Sequence, residues 1–150
     1  MLRLEPLLSA EVTLAPAQEF GPTPQGRRRI IAITGGNFSG ARLRGRVLPG
    51  GADWQLIRAD GVAVLDTRYT LETHDGALIY VQNRGLRSGP PGVMQNLMKG
   101  ETVDPSLYYM RTHPCFETGD PRYDWLNSIV CVGSGARLPN AVKLEFYEVK

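Results

Sequence analysis

The sequence has little cysteine, little lysine, almost no surplus of charge and no long apolar run. Cys115 and Cys131 are its two cysteines. That is too few for a disulfide framework, and no CxxC pair offers a zinc-ligand spacing. A formal charge of +2 generates no strong field toward nucleic acid or an anionic membrane, so neither is expected as a partner. The N-terminal stretch MLRLEPLLSAEVTL is interrupted by Glu5, Pro6 and Glu11. It fits neither a signal peptide nor a membrane span, and a reducing cytoplasm is the expected compartment. Repeats and low-complexity tracts are also missing, which excludes solenoids and disordered tails.

What is present fits an ordinary globular chain. The 150 residues are 42% hydrophobic, enough to bury a core in one domain spanning 1–150. Fourteen of the 17 basic residues are arginine. Either a codon habit explains this, or the chain uses planar guanidinium forks to bind anions.

Period-two patterning dominates. Leu2, Leu4, Pro6, Leu8, Ala10, Val12 and Leu14 alternate with Arg3, Glu5, Ser9, Glu11 and Thr13, which predicts a half-buried strand bent at Pro6. APAQEFGPTPQG reads as a loop. RRRIIAIT and NFSGARLRGRVL read as two strands joined at Gly35-Gly36. WQLIR, VAVLDTRYTLET and ALIYVQNR follow, punctuated by Asp60-Gly61 and Asp75-Gly76. SLYYMRT, WLNSIVCVG and AVKLEFYEV complete the strands, with HPCFETGDPRYD as an irregular loop. Pro90-Pro91 can open one short helix carrying Val93, Met94, Leu97 and Met98, closed by Gly100. The expected fold is all-β: a single antiparallel β-barrel of about 8–9 strands with one short helix.

Two-residue Asp-Gly turns would set the central register. They place Asp53, Arg68 and Asn83 in one row and Trp54, Thr67 and Arg84 in another. The face with Trp54, Leu65, Tyr69, Leu71, Tyr80 and Arg84 carries long leucines and aromatics, so it is expected to line the lumen. The face with Asp53, Gln55, Ile57, Val81 and Asn83 is expected to be solvated. An apolar floor with a few polar groups at the mouth suits a small organic ligand.

Several stretches resemble the family known as domain of unknown function 3237, or uncharacterised protein family 0311. They are GRRRIIAITGGNFSG, LRGRVLPGGADWQLIRADG, LDTRYTLETHDGALIYVQNRG, YYMRTHPCFETGDPRYDWLNSIVCVGSGAR and VKLEFYEV. They run in order from about Gly26 onward. The resemblance implies a compact β-barrel of cytoplasmic type with no established common reaction. Its recurring polar and aromatic positions correspond to Asp53, Trp54, Asp66, Arg68, Tyr80, Arg111, Glu117, Trp125 and Asn127.

Most familiar chemistries find no footing. His74 and His113 stand apart and are expected to be structural, leaving no expected metal site. GSGAR (Gly133 to Arg137) precedes a strand, so it lacks the helix N-terminus that cradles phosphate. No GxSxG elbow exists, and Cys115 near His113 in sequence is not a dyad. Arg42, Arg44 and Arg46 share a strand face without interleaved aromatics, as a solvated face would.

The expected ligand-binding set is therefore Trp54, Tyr69, Tyr80, Arg84, Arg111, Glu117, Trp125 and Asn127. The last three come from a loop placed to close over an opening, with Glu117 a candidate acid or base. No catalytic residue and no cofactor is assigned. Two functions stay open. One is a barrel that binds a small, partly apolar organic molecule, anionic or neutral, and that, if it is an enzyme, acts as a cofactor-independent isomerase or cyclase by proton transfer. The other is a non-enzymatic, homo-oligomeric or accessory protein with a filled barrel.

Overall fold

The alternating segments become ten strands in the computed structural model, which describes residues 1–150. These are β1 (Leu4–Leu14), β2 (Gln18–Thr23), β3 (Gly26–Ser39), β4 (Arg44–Val47), β5 (Ala52–Ile57), β6 (Ala63–Thr73) and β7 (Leu78–Ser88). After helix α1 (Pro91–Met98) come β8 (Tyr109–Glu117), β9 (Cys131–Arg137) and β10 (Ala141–Val149). Short 3-10 turns occupy Pro105–Leu107 and Pro121–Ser128. All strand pairs are antiparallel. The ring runs β1, β10, β9, β8, β7, β6, β3 and back to β1, with β4 and β5 filling the place between β6 and β3 at two levels. The result is a closed eight-stranded barrel, with β2 paired outside it to β3.

Several boundaries differ from the sequence expectation: NFSGARLRGRVL is split between β3 and β4, and Trp125–Ser128, expected in a strand, belong to a 3-10 turn, with β9 starting only at Cys131. Gly35-Gly36 does not end a strand; β3 runs through it, leaving β5 and turning onto β1 and β4. Gly36 makes this possible: at φ +137°, a Cβ there would lie 2.1 Å from the Glu11 carbonyl oxygen. Residues 18–23 form β2 despite Pro22, because one side of β2 is an edge and needs no N–H there. Strand β8 also extends through His113 to Glu117, residues expected to be loop.

The bend expected at Pro6 is a register shift between Pro6 and Leu8 in the β1–β10 ladder. It turns both Leu7 and Leu8 inward and leaves Leu2 and Leu4 exposed.

The central hairpins also depart by one residue. Arg58 N–H donates to the Val62 carbonyl, and Thr73 N–H to the Ala77 carbonyl, each at 2.9 Å. These loops therefore hold three residues, with Gly61 at φ +85° and Gly76 at φ +90° closing type I turns. A slip of one residue reverses which face a side chain takes. Asp53 pairs with Thr67, and Thr67 with Asn83, all on the inner face. Arg84 pairs with Asp66 on the outside. The expected Asp53–Arg68–Asn83 and Trp54–Thr67–Arg84 rows do not form.

The barrel is filled unevenly. Around Leu71, Ile79, Val81, Phe116 and Phe146 the lumen is solid, and Tyr123 and Leu126 from the 3-10 turn plug that end. Each such large side chain contributes roughly 1.5–3 kcal/mol by burial. At the opposite end α1 docks as its sequence predicts. Met94 and Leu97 pack on Ile57, Ala63, Leu65, Tyr108 and Met110. Between floor and cap the packing changes character.

Candidate functional site

Midway along the barrel, inward positions that packing would fill with aliphatics are polar instead. β5 supplies Asp53 and Gln55, β6 supplies Thr67 and Tyr69, β7 supplies Asn83 and Arg87, β8 supplies Thr112, and β9 supplies Arg137. Val12, Ile31, Ile33, Leu65, Met110 and Leu144 are among the apolar walls. Between these side chains about 50 Å³ admits the centre of a water molecule, room for a few waters. Leu65 and Met110 belong both to the cavity wall and to the cluster that docks α1, while no α1 side chain lines the cavity itself.

Gln55, wholly buried, organises the polar level. Its Oε1 accepts from Arg29 Nη1 at 2.8 Å and from Arg87 Nη2 at 3.5 Å. Its Nε2 donates to Asp53 Oδ2 at 3.1 Å. The other Asp53 oxygen accepts from the Asp66 backbone N–H at 3.0 Å. Arg29 completes its pairing through Nε to Glu19 at 2.8 Å. Arg137 is held by its own N–H, which donates to the Tyr108 hydroxyl at 2.8 Å.

Four buried polar atoms have no partner: the Tyr69 hydroxyl, Asn83 Oδ1, Arg87 Nε and Thr112 Oγ1. All four residues line this one cavity. Buried polar groups are nearly always satisfied, so four orphans around one space mark it as built for polar contact.

Burial also sets the acid–base state. It pushes the Asp53 carboxyl above the usual carboxylate range, against the opposing pull of the Asp66 N–H, Gln55 and Arg87. Desolvation, reinforced by Arg137, brings Arg87 down to about 10. Arg137 is lowered by desolvation and by repulsion from Arg29. Burial raises the Tyr69 hydroxyl. Burial thus moves a carboxyl up and a guanidinium down in one enclosed space, and Arg87 still carries its charge at neutral pH.

Of the residues expected to bind a ligand, Tyr69 alone lines this cavity. Trp54, Tyr80 and Arg84 face outward, at 38% exposed, 37% exposed and in an outer ion pair with Asp66 respectively. That corrects the expected facing. The physical signal was the β-branched set Ile57, Ile79 and Val81, which is buried beside Asp53 and Asn83, while the amphipathic rings take the wet side. Arg111 is exposed, stacked toward Tyr109 in a separate groove on the outer surface. Glu117 is exposed and opposite Tyr80. Trp125 packs against the filled end with Arg42 3.5 Å above its ring, and Asn127 bonds the Thr118 backbone there. The segment from Glu117, the last residue of β8, to Asn127 lies at the solid end, not the open one. His74 is exposed at a turn, His113 and Cys115 are exposed on β8, and Cys131 is buried. No helix is long and apolar enough to cross a membrane.

Residues 2–149 match the model of the family described as "Protein of unknown function (DUF3237)". The chain belongs to this family. A UPF0311 protein of Rhodopseudomonas palustris is 46% identical over 129 residues, 86% of this chain and 84% of its own. A crystal structure of a conserved protein of unknown function from R. palustris superposes with a TM-score of 0.95 at 40% identity, over 100% of this chain and 98% of that one. A hydroalkoxylation enzyme of Penicillium herquei is 26% identical over 147 residues, 98% of this chain and 83% of its own. Family membership accounts for the barrel, and the four orphaned atoms locate the cavity within it.

Proposed function

We propose that the upper lumen binds a small, partly apolar organic molecule and moves a proton within it, with Asp53 as the acid and base. The convergence of four unpartnered buried polar atoms beside a carboxyl raised by burial carries this reading. The distant relative suggests a reaction type. In hydroalkoxylation an O–H adds across a C=C bond, which is redox-neutral and needs only proton movement. Asp53, entering protonated, gives its proton to an alkene carbon as the π bond breaks. The hydroxyl oxygen forms the C–O bond and returns its proton to the Asp53 carboxylate, which closes the cycle. Tyr69, Asn83 and Thr112 would orient the molecule, and the aliphatic walls would keep bulk water out.

A panel of alkenyl phenols and β,γ-unsaturated ketones in D₂O tests this. Wild type should place deuterium on carbon, and Asp53→Asn should slow it by about 100-fold or more while staying folded. Equal rates in the variant, or no exchange on any member by wild type, would count against the assignment. The filled lower barrel favours the rival accessory role only for that half.

A further inference from the structure

Charge does not balance around the cavity, and the imbalance has a definite location. Three guanidiniums, Arg29, Arg87 and Arg137, gather about Asp53 and are close enough to act on one another. Against them stand at most two negative charges, from Asp53 and Glu19. Glu19 is committed to Arg29 at 2.8 Å. Asp53 is already taken up by the Asp66 N–H and the Gln55 amide, and it forms no ion pair with Arg87 or Arg137. Arg87 is 2% exposed, yet its one hydrogen bond is a 3.5 Å contact to neutral Gln55, and its Nε has no partner at all. The Arg137 head group donates only to the Ala141 carbonyl, at 3.4 Å. Buried cations are costly unless paired. Arg87, buried, and Arg137, partly buried, are left facing a cavity without a carboxylate partner.

We propose that Arg87 and Arg137 form the site for one oxyanion, so that the lumen takes partly apolar monoanions: carboxylates or acidic phenols. The inference rests on the lumen being a small-molecule site and adds the charge of what it holds. Arg87 Nε, the Thr112 hydroxyl and the Tyr69 hydroxyl supply donors without partners, as an oxyanion requires. Asn83 Oδ1 is the single orphan acceptor and suits a second, hydroxyl-bearing position. Ile31, Ile33, Leu65 and Leu144 give the rest of the molecule an apolar bed, which disfavours compact, strongly hydrated anions such as inorganic phosphate.

The test is calorimetric titration at pH 8, where 4-nitrophenol is ionised, with matched probes: benzoate against benzamide, and 4-nitrophenolate against 4-nitroanisole. Methyl shifts of Met110 and Leu65 would confirm that binding is in the lumen. Wild type should bind each anion at least about tenfold tighter than its neutral twin. Arg87→Met should erase that preference, Arg137→Met should reduce it, and Arg87→Lys should keep part of it. Arg84→Ala, on the outer face, should leave it unchanged. Arg87→Met removes an unpaired buried charge, so its urea midpoint should hold or rise; a purely structural arginine would instead lose stability and keep affinity. If Arg87→Met does not fold, Arg137→Met and Arg87→Lys decide the matter. Equal binding of anion and neutral twin in the lumen overturns the anion site while leaving a small-molecule lumen and the Asp53 exchange test standing. No binding by any probe overturns it too.

Discussion

Arg29 donates from Nη1 to Gln55 Oε1 at 2.8 Å, and both side chains are buried between β3 and β5. The same Gln55 oxygen accepts from Arg87, while its amide donates to Asp53. A neutral side chain thus links two guanidiniums to one carboxylate. Gln55→Leu keeps most of the volume but strands a buried Arg29 N–H and removes a donor from Asp53. A loss of about 2–3 kcal/mol is expected in urea unfolding. Gln55→Glu places a carboxylate between the guanidiniums. It should raise the unfolding midpoint at neutral pH and weaken benzoate binding, since the oxyanion's charge would already be supplied.

Asp53 should make stability depend on pH in an unusual direction. Burial holds its carboxyl above the usual range in the folded protein, whereas the unfolded chain ionises near pH 4. The folded state therefore binds the extra proton. Its contribution is fully present below the unfolded pKa and is lost as pH rises through the raised folded value. Facing Asp53 are Arg29 from β3, Tyr69 from β6, Arg87 from β7 and Arg137 from β9, with Gln55 and Thr67 as neutral neighbours. Urea midpoints of wild type should fall relative to Asp53→Asn as pH is raised from about 4, then level off. A wild type that gains on the variant over that range would mean that the guanidiniums outweigh burial.

The barrel could be read from the sequence because alternation and turn residues are local signals, each repeated many times along the chain. The site depended on two single-residue counts that alternation leaves open. Asp60-Gly61 and Asp75-Gly76 serve a two-residue turn as well as a three-residue loop ending in glycine, and the difference moves β6 by one position against both neighbours. Tyr69 shares parity with Leu65 and Leu71, which points it to the lumen. Asp53, Gln55 and Asn83 read as solvated because polar residues usually belong in water. Ile57, Ile79 and Val81, on the same faces, were the better guide. Arg87 had a weaker signal: it shares parity with Ile79, Val81 and Asn83, but it lies past Gly85, where the strand pattern fades.

The same loops give a backbone prediction. Gly76 sits at φ +90° with open space where a Cβ would go. Gly76→Ala should cost about 1–2 kcal/mol, the price of left-handed backbone alone. Gly36→Ala adds a collision with the Glu11 carbonyl at the β1–β3 closure and should cost about 3 kcal/mol or more. Thermal unfolding of the two variants side by side separates conformational strain from contact.

Helix α1 is eight residues long, below the length at which an isolated helix persists in water. Its hold on the barrel is Met94 and Leu97, and two of the residues beneath them, Leu65 and Met110, also line the cavity. Gly92 lies in its first turn, and Gly89 and Gly100 stand beyond its ends. Opening α1 would therefore break one small apolar contact and free two cavity walls, Leu65 and Met110, without disturbing the Phe146 core. A ligand in the lumen should strengthen that contact by filling the space under Met110. Hydrogen exchange of α1 amides should slow in benzoate or 4-nitroanisole, at every protein concentration. Leu97→Ala should speed the same amides by at least about tenfold and leave β6 and β7 unchanged. Protection that instead follows protein concentration, and ignores both probes, would make α1 a contact between copies rather than a lid.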